Sequence, residues 1–384
     1  MGNIDEKRAC QSCINDRYIY NNLKKYGEMS ECSYCQQRRK TISVKEIAEE
    51  LEDGITTEYT QCGMEYYNPV NGKYTIPTVE LEYILYGVYS CRDDLFEDIC
   101  SYIETDGWYE RDDEYFGDKE DISAVYNKEW KTFCHIVKYE TRYVFFNQWN
   151  EDQEDERAKN ILEFISKAVE KLDLIKEIPP QMGFYRGRTH CTKDKAFSSD
   201  KQLAAPPACR AKPNRMSAEG ISIFYGANDV KTALAEIYNG TEPYATIAQF
   251  KNNHKLWLLD LSKVLSMKLP SLFDRKNRDK RGYIRFFKDF ITMLISPVDN
   301  TPAIEYVPTQ ILTEYFRHVY SFGCMFDGII YPSVKNPHGK CYALFFNHEQ
   351  CINGKEQRLM MDQKTVKTYR LINNLRYEEV NLIS

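Results

Sequence analysis

Asn214-Arg215-Met216-Ser217-Ala218-Glu219-Gly220-Ile221-Ser222-Ile223-Phe224-Tyr225-Gly226-Ala227-Asn228 runs straight into Asp229-Val230-Lys231-Thr232-Ala233-Leu234-Ala235-Glu236-Ile237. The first part reads as an arginine-bearing loop and then a short strand, Gly220 to Tyr225, whose Ile221, Ile223 and Tyr225 alternate onto one face. The second part reads as a helix with Val230, Ala233, Leu234 and Ile237 on its buried stripe and Glu236 at the flank. A flank glutamate taken alone is ordinary solvent-facing decoration. Its company decides otherwise.

Upstream, Phe184-Tyr185-Arg186-Gly187-Arg188 is a strand ending in two guanidinium groups. Downstream, Asp327-Gly328-Ile329-Ile330-Tyr331-Pro332-Ser333-Val334 is an apolar strand that enters a turn, followed by Asn336 and a further apolar strand, Cys341 to Phe346. With another β-like run at Leu256 to Leu261, these segments alternate with helical patterns. The second half, residues 176–384 with a core at about 180–350, is therefore mixed α and β, and the chain as a whole is α+β.

Residues 41–175 read as helical. Val44, Ile47, Ala48 and Leu51 recur at helical spacing behind Ser43, an N-cap residue type. A polar break at Glu151 to Glu156 precedes an amphipathic helix with Ala158, Ile161, Leu162, Ile165, Val169 and Leu172 on one face, ended by Ile178-Pro179-Pro180. The acidic stretch between Glu80 and Asp121 reads first as a solvated helix face and second as a docking surface for a basic partner. The basic cluster Arg275 to Arg281 reads first as a solvated loop and helix start, and otherwise as a nucleic-acid patch or a dock for the acidic stretch.

Residues 1–40 carry Cys10-Gln11-Ser12-Cys13 and Cys32-Ser33-Tyr34-Cys35, with Asp16 to Tyr26 between them as a short helix. Two CxxC knuckles at this separation match a structural zinc site whose ligands are Cys10, Cys13, Cys32 and Cys35. Four thiolates leave no open position for catalysis. So small a segment needs the ion for its stability.

Composition narrows the field. Thirteen cysteines, an odd number behind an N-terminus without an apolar leader, fit metal ligands and reduced thiols in a cytoplasmic setting. A net charge of −6 disfavours nucleic acid as a partner, and no apolar run is long enough to span a membrane. Gly2 invites a myristoylation reading that fails at Glu6. There is no GxGxxG, P-loop, HExxH or GxSxG motif.

The ordered set of a YR strand, an arginine loop, a strand ending in Tyr, a T-A-L-A-E helix and a YPS turn resembles the RES domains. The opening cysteines and helical region resemble the HEPN/RES N-terminal domain, without the Arg/His pair of the HEPN ribonucleases. The resemblance implies an ADP-ribosyltransferase-like fold and NAD as substrate, cleaved at the nicotinamide–ribose bond. It places Glu236, Arg186 and Ser333 in the catalytic set, and Tyr185, Arg215, Tyr225 and Asn336 around the dinucleotide. Arg188 is left unassigned. Water, phosphate or a macromolecule remains open as acceptor; a regulatory protein partner and self-association also remain open, as does a non-catalytic zinc-ribbon adaptor.

Overall fold

The computed structural model describes residues 6–63, 66–75, 78–103, 107–110, 122–142, 153–295, 303–320, 325–373 and 376–380. Gly2 and, in the acidic stretch, residues 104–106 and 111–121 lie outside the described residues. The chain is α+β, in two compact units: Met1–Val125 with Lys268–Tyr283, and Tyr126–Met267 with Ile284–Ser384.

In the first unit, β1 (Arg8–Cys10) leads into α1 (Gln11–Ile14) and α2 (Arg17–Leu23). Asp16 caps α2 by accepting from the backbone N–H groups of Tyr18 and Ile19 at 2.8 and 2.9 Å. The strands β2 (Glu28–Glu31) and β3 (Arg38–Ser43) complete an antiparallel sheet ordered β1-β3-β2. Ser43 then starts α3 (Val44–Ile55) with a full capping box to Glu46. Val44, Ile47, Ala48 and Leu51 are all buried, as their spacing requires. Beyond it lie β4 (Tyr59–Gln61), the hairpin of β5 (Tyr67–Asn68) and β6 (Lys73–Tyr74), α4 (Leu81–Val88), α5 (Asp93–Tyr102) and β7 (Trp108–Glu110), which pairs with β4.

The basic cluster departs from its first reading. Arg275 meets Glu50 at 2.6 Å, Arg278 meets Asp53 at 2.9 Å, and Arg281 grips Glu58 through Nε at 2.5 Å and Nη2 at 2.9 Å. Just before these pairs, Leu272 and Phe273 are buried in the same core as α3. A Cβ on Gly54 would lie 2.6 Å from the Phe273 ring, so only glycine lets the ring in. The run looked solvated because its partners lie more than two hundred residues earlier in the chain.

The second unit contains α6 (Ile122–Tyr139), from Tyr126 onward, and α7 (Gln153–Lys171). α7 starts inside the expected polar break, because Glu, Gln and Arg are themselves good helix formers; residues 151–152 are outside the described set. It also stops before the prolines. Asp173 takes a left-handed φ of 52°, and the chain re-enters as β8 (Ile175–Ile178).

From there the order is β9 (Gly183–His190), α8 (Asp200–Leu203), β10 (Phe224–Ala227), α9 (Val230–Ile237), β11 (Tyr244–Asn252) and β12 (Leu256–Asp260). Next come α10 (Ser262–Leu265), α11 (Lys280–Ile295) and α12 (Val307–His318). The chain closes with β13 (Gly328–Pro332), β14 (Lys340–Leu344), β15 (Leu359–Leu371) and β16 (Tyr377–Val380). One nine-stranded sheet results, ordered β16-β15-β11-β9-β10-β14-β13-β12-β8, in which β12 and β13 run parallel and the other pairs antiparallel.

One face buries Phe184, Phe224, Phe250 and Leu344 together with Leu203, Ala204 and Ala205; the other buries Ala227, Ala245 and Ile247 with Ala233 and Leu234 of α9. β9 pairs with β11 over eight residues but with β10 at one position, Tyr185 opposite Ala227. The two central strands part there. β10 begins at Phe224, later than expected, because Gly220 (φ 83°) and Ser222, whose hydroxyl donates to Pro206 O at 2.6 Å, belong to a loop.

Arg281→Ala removes a two-point ion pair from the buried Glu58 carboxylate. We expect it to destabilise the first unit by about 3–5 kcal/mol in urea unfolding. Stability within experimental error of the wild type would contradict the pairing.

Candidate functional site

A cleft of about 1200 Å³ opens in the second unit, lined by Tyr185, Arg186, Arg215, Tyr225 and Glu236 among others. That volume suits a ligand somewhat larger than most small molecules. Its charge is lopsided: Arg186, Arg188, Lys201, Arg210, Lys212, Arg215 and Lys335 line it against one carboxylate, Glu236.

Glu236 reaches the cleft from the last turn of α9. Asp229 caps the start of that helix, accepting from the Thr232 N–H at 2.7 Å. Lys335 closes its end, donating to Glu236 O at 3.3 Å and to Tyr238 O at 2.7 Å. The Ser333 hydroxyl donates to the Glu236 carboxylate through Oε1. Ser333 Oγ in turn accepts from the Asn336 N–H at 3.0 Å, which directs its proton at the carboxylate. Asn336 does not line the cleft. It is buried behind Ser333 and donates through Nδ2 to Thr232 Oγ1 at 2.8 Å. Gly339 completes the fit, since a Cβ there would come within 2.5 Å of the Thr232 side chain.

Around the carboxylate sit neutral groups that sequence reading left out. Burial pushes the Tyr331 phenol well above its usual range, and burial together with Glu236 pushes the Cys341 thiol up. Tyr331 stands in the quoted YPS turn, so its signal was present; Cys341 gave none beyond an apolar strand.

Tyr225 is raised to about 12 by burial, and its hydroxyl lies 3.0 Å from Ser217 Oγ. Tyr185 accepts from Gln249 Nε2 at 3.0 Å through its hydroxyl. Arg215 donates through Nη1 to Leu294 O, and its own carbonyl accepts from Thr309 Oγ1 at 2.5 Å.

Arg186 is committed to backbone. Its Nε donates to Leu203 O at 2.9 Å and Ala204 O at 3.3 Å, and its Nη1 donates to Tyr225 O at 2.7 Å across the parted strands. Burial, reinforced by Arg188, pushes this guanidinium down to about 10, still charged at neutral pH. One fork thus ties the Leu203–Ala204 wall to β10.

Residues 187–367 match the family model for the RES domain, and residues 25–151 match that for HEPN/RES N-terminal domain 1. The second half of the chain is a RES domain. RES domains are a family of NAD-degrading, toxin-like domains, which gives the cleft a NAD-related enzymatic context. No curated protein and no solved structure matches the chain. The RES match begins just after Tyr185 and Arg186 and takes in Arg215, Tyr225, Glu236, Ser333 and Asn336.

The N-terminal match includes Cys32 and Cys35 and begins after Cys10 and Cys13. All four cysteines nevertheless cluster, their sulfurs within 4.8 Å of one another. Cys10 lies 3.9 Å from Cys13 and 3.6 Å from Cys35, and Cys13 lies 3.7 Å from Cys32. A tetrahedron with Zn–S bonds of about 2.3 Å has edges of about 3.8 Å, so the set fits such an ion. Against the effect of burial, backbone N–H groups of Tyr34, Cys35 and Cys10 draw the Cys32 thiol down to about 7, whereas burial and the neighbouring thiols push Cys13 up. Among the described residues no helix is long and apolar enough to cross a membrane.

Arg186→Lys keeps the charge and loses the fork. It should cost about 1–3 kcal/mol of stability by leaving buried carbonyls unpaired, measured by urea denaturation. An unchanged midpoint and slope would mean that the wall is held by other means.

Proposed function

We propose that the RES domain cleaves the nicotinamide–ribose bond of NAD, with water or phosphate accepting the ADP-ribosyl group. The observation that carries this reading is one carboxylate, oriented by Ser333, in a cleft whose other charged lining residues are cations. Sugar–nitrogen cleavage builds positive charge on the ribose, and a fixed carboxylate beside the ring stabilises it. The C1′–N bond breaks with its electron pair going to nicotinamide, which leaves neutral, so no general acid is needed. The acceptor oxygen then bonds to C1′ and releases its proton.

In this reading Glu236 faces the nicotinamide ribose and Ser333 holds the carboxylate in place. Tyr185 and Tyr225 offer ring faces for stacking, and Arg215 adds a cation at the carboxylate end of the dinucleotide site. Arg186 contributes its charge and the wall it anchors, and Asn336 acts through Ser333. ADP-ribosyl transfer to a macromolecule uses the same groups and differs in where the label ends. Cys10, Cys13, Cys32 and Cys35 hold a structural zinc ion, which supplies cross-linking and no step of the reaction.

Purified full chain should release nicotinamide from NAD, yielding ADP-ribose in phosphate-free buffer and its 1-phosphate if phosphate is the acceptor. Glu236→Ala should slow release about 10²–10³-fold, the scale of removing one electrostatic stabiliser. Turnover that survives this change would falsify the assignment, whereas label retained on protein would point to transfer.

Metal analysis should find about one zinc per chain, lost when Cys10 and Cys13 are both changed to Ser. A zinc-free wild-type protein would rule out the metal site.

A further inference from the structure

The four arginines of the cleft fall into two groups. Arg215 belongs to the carboxylate end, since both Arg215 and Glu236 act on the Tyr331 phenol. Arg186, Arg188 and Arg210 form a separate series in which each guanidinium bears on the next. Arg188 adds to the lowering of Arg186, and Arg188 is itself lowered by burial and then by Arg210. No carboxylate figures among the charges acting on Arg186 or Arg188. Like charges gathered in a partly desolvated cleft destabilise it until an anion is bound.

The backbone that presents Arg210 is fixed in advance. Four successive carbonyls are held by side-chain donors: Leu203 and Ala204 by Arg186, Ala204 also by Arg188 at 3.2 Å, Ala205 by His348 Nδ1 at 2.6 Å, and Pro206 by Ser222 at 2.6 Å. Pro206-Pro207 then stiffens the chain into the turn Ala208–Arg210, closed by the Arg210 N–H donating to Pro207 O at 2.8 Å. Arg186 is spent on this scaffold. Arg188 commits one Nη2 bond to it, and the exposed Arg210 guanidinium has no protein partner among the described residues.

We propose that Arg188 and Arg210 form a phosphate seat in this cleft, distinct from the Glu236–Arg215 end. The ligand chemistry is a phosphate group of a dinucleotide, either the bridging diphosphate or a ribose 2′-phosphate. Arg188 and Arg210 line the same cleft, and guanidinium groups match phosphate oxygens better than ammonium groups do. The seat deepens the NAD reading and rests on it for the identity of the dinucleotide, but its anion binding is testable without turnover.

The test is calorimetric titration of the full chain with sodium pyrophosphate at fixed low ionic strength. The wild type should bind. Arg210→Gln, an exposed change that leaves the scaffold intact, should weaken binding at least tenfold, and Arg188→Gln should do the same. Lys364→Gln, an exposed cation elsewhere on the domain, should have no effect. Failure of the wild type to bind, or wild-type affinity in Arg210→Gln, overturns the seat. Where the chain turns over substrate, a KM raised in Arg210→Gln for both NAD and NADP identifies the diphosphate as its occupant. A KM raised for NADP alone identifies the 2′-phosphate. Pyrophosphate binding that depends on Arg210, without any NAD turnover, keeps the seat and removes the activity.

Discussion

The Ser333 hydroxyl accepts from the Asn336 N–H and donates to Glu236, and that direction of donation ties the turn after β13 to the last turn of α9. The rest of the site follows from this link. A carboxylate on a short helix is free to rotate into solvent; here its position is set from three sides. Asp229 fixes the start of α9, Lys335 covers the carbonyls at its end, and Asn336 locks onto Thr232 at its first turn. Burial keeps Tyr331 and Cys341 neutral around the carboxylate, so Glu236 is the one acidic side chain among the described residues that line the cleft.

The opposite wall answers a different constraint. Where β9 and β10 part after a single register pair, the Tyr225 carbonyl of β10 and the carbonyls of Leu203 and Ala204, which lie outside the sheet, need donors other than a neighbouring strand. Arg186 supplies the missing donors with one planar fork, which no lysine could match. The gap that makes the cleft and the arginine that bridges it are two sides of one feature. Arg186 thus has a scaffold duty in the cleft wall.

Much of this was legible in the chain. The buried stripe of α9, the N-cap at Ser43 and the two CxxC knuckles are local patterns, and local patterns set local structure. Non-local pairing was not legible. β11 and β15 were missed because their residues alternate weakly and gain their place from each other across more than a hundred residues. The basic run at 275–281 read as solvated for the same reason, its acids lying on and just after α3. Arg186 was legible as important, but not as a donor to carbonyls, because that role depends on where two strands separate. Arg210 carried no motif at all; only the fixed carbonyls of 203–206 make its position meaningful.

The measurement that bears most directly on the account is a crystal structure of the full chain carrying Glu236→Gln, soaked with NAD. The substitution keeps the shape of the side chain and removes the charge proposed to drive cleavage. The account predicts intact NAD in the cleft, with the C1′ carbon of the nicotinamide ribose against residue 236 and a phosphate group between Arg188 and Arg210. NAD bound elsewhere, or an empty cleft at saturating NAD, would contradict it.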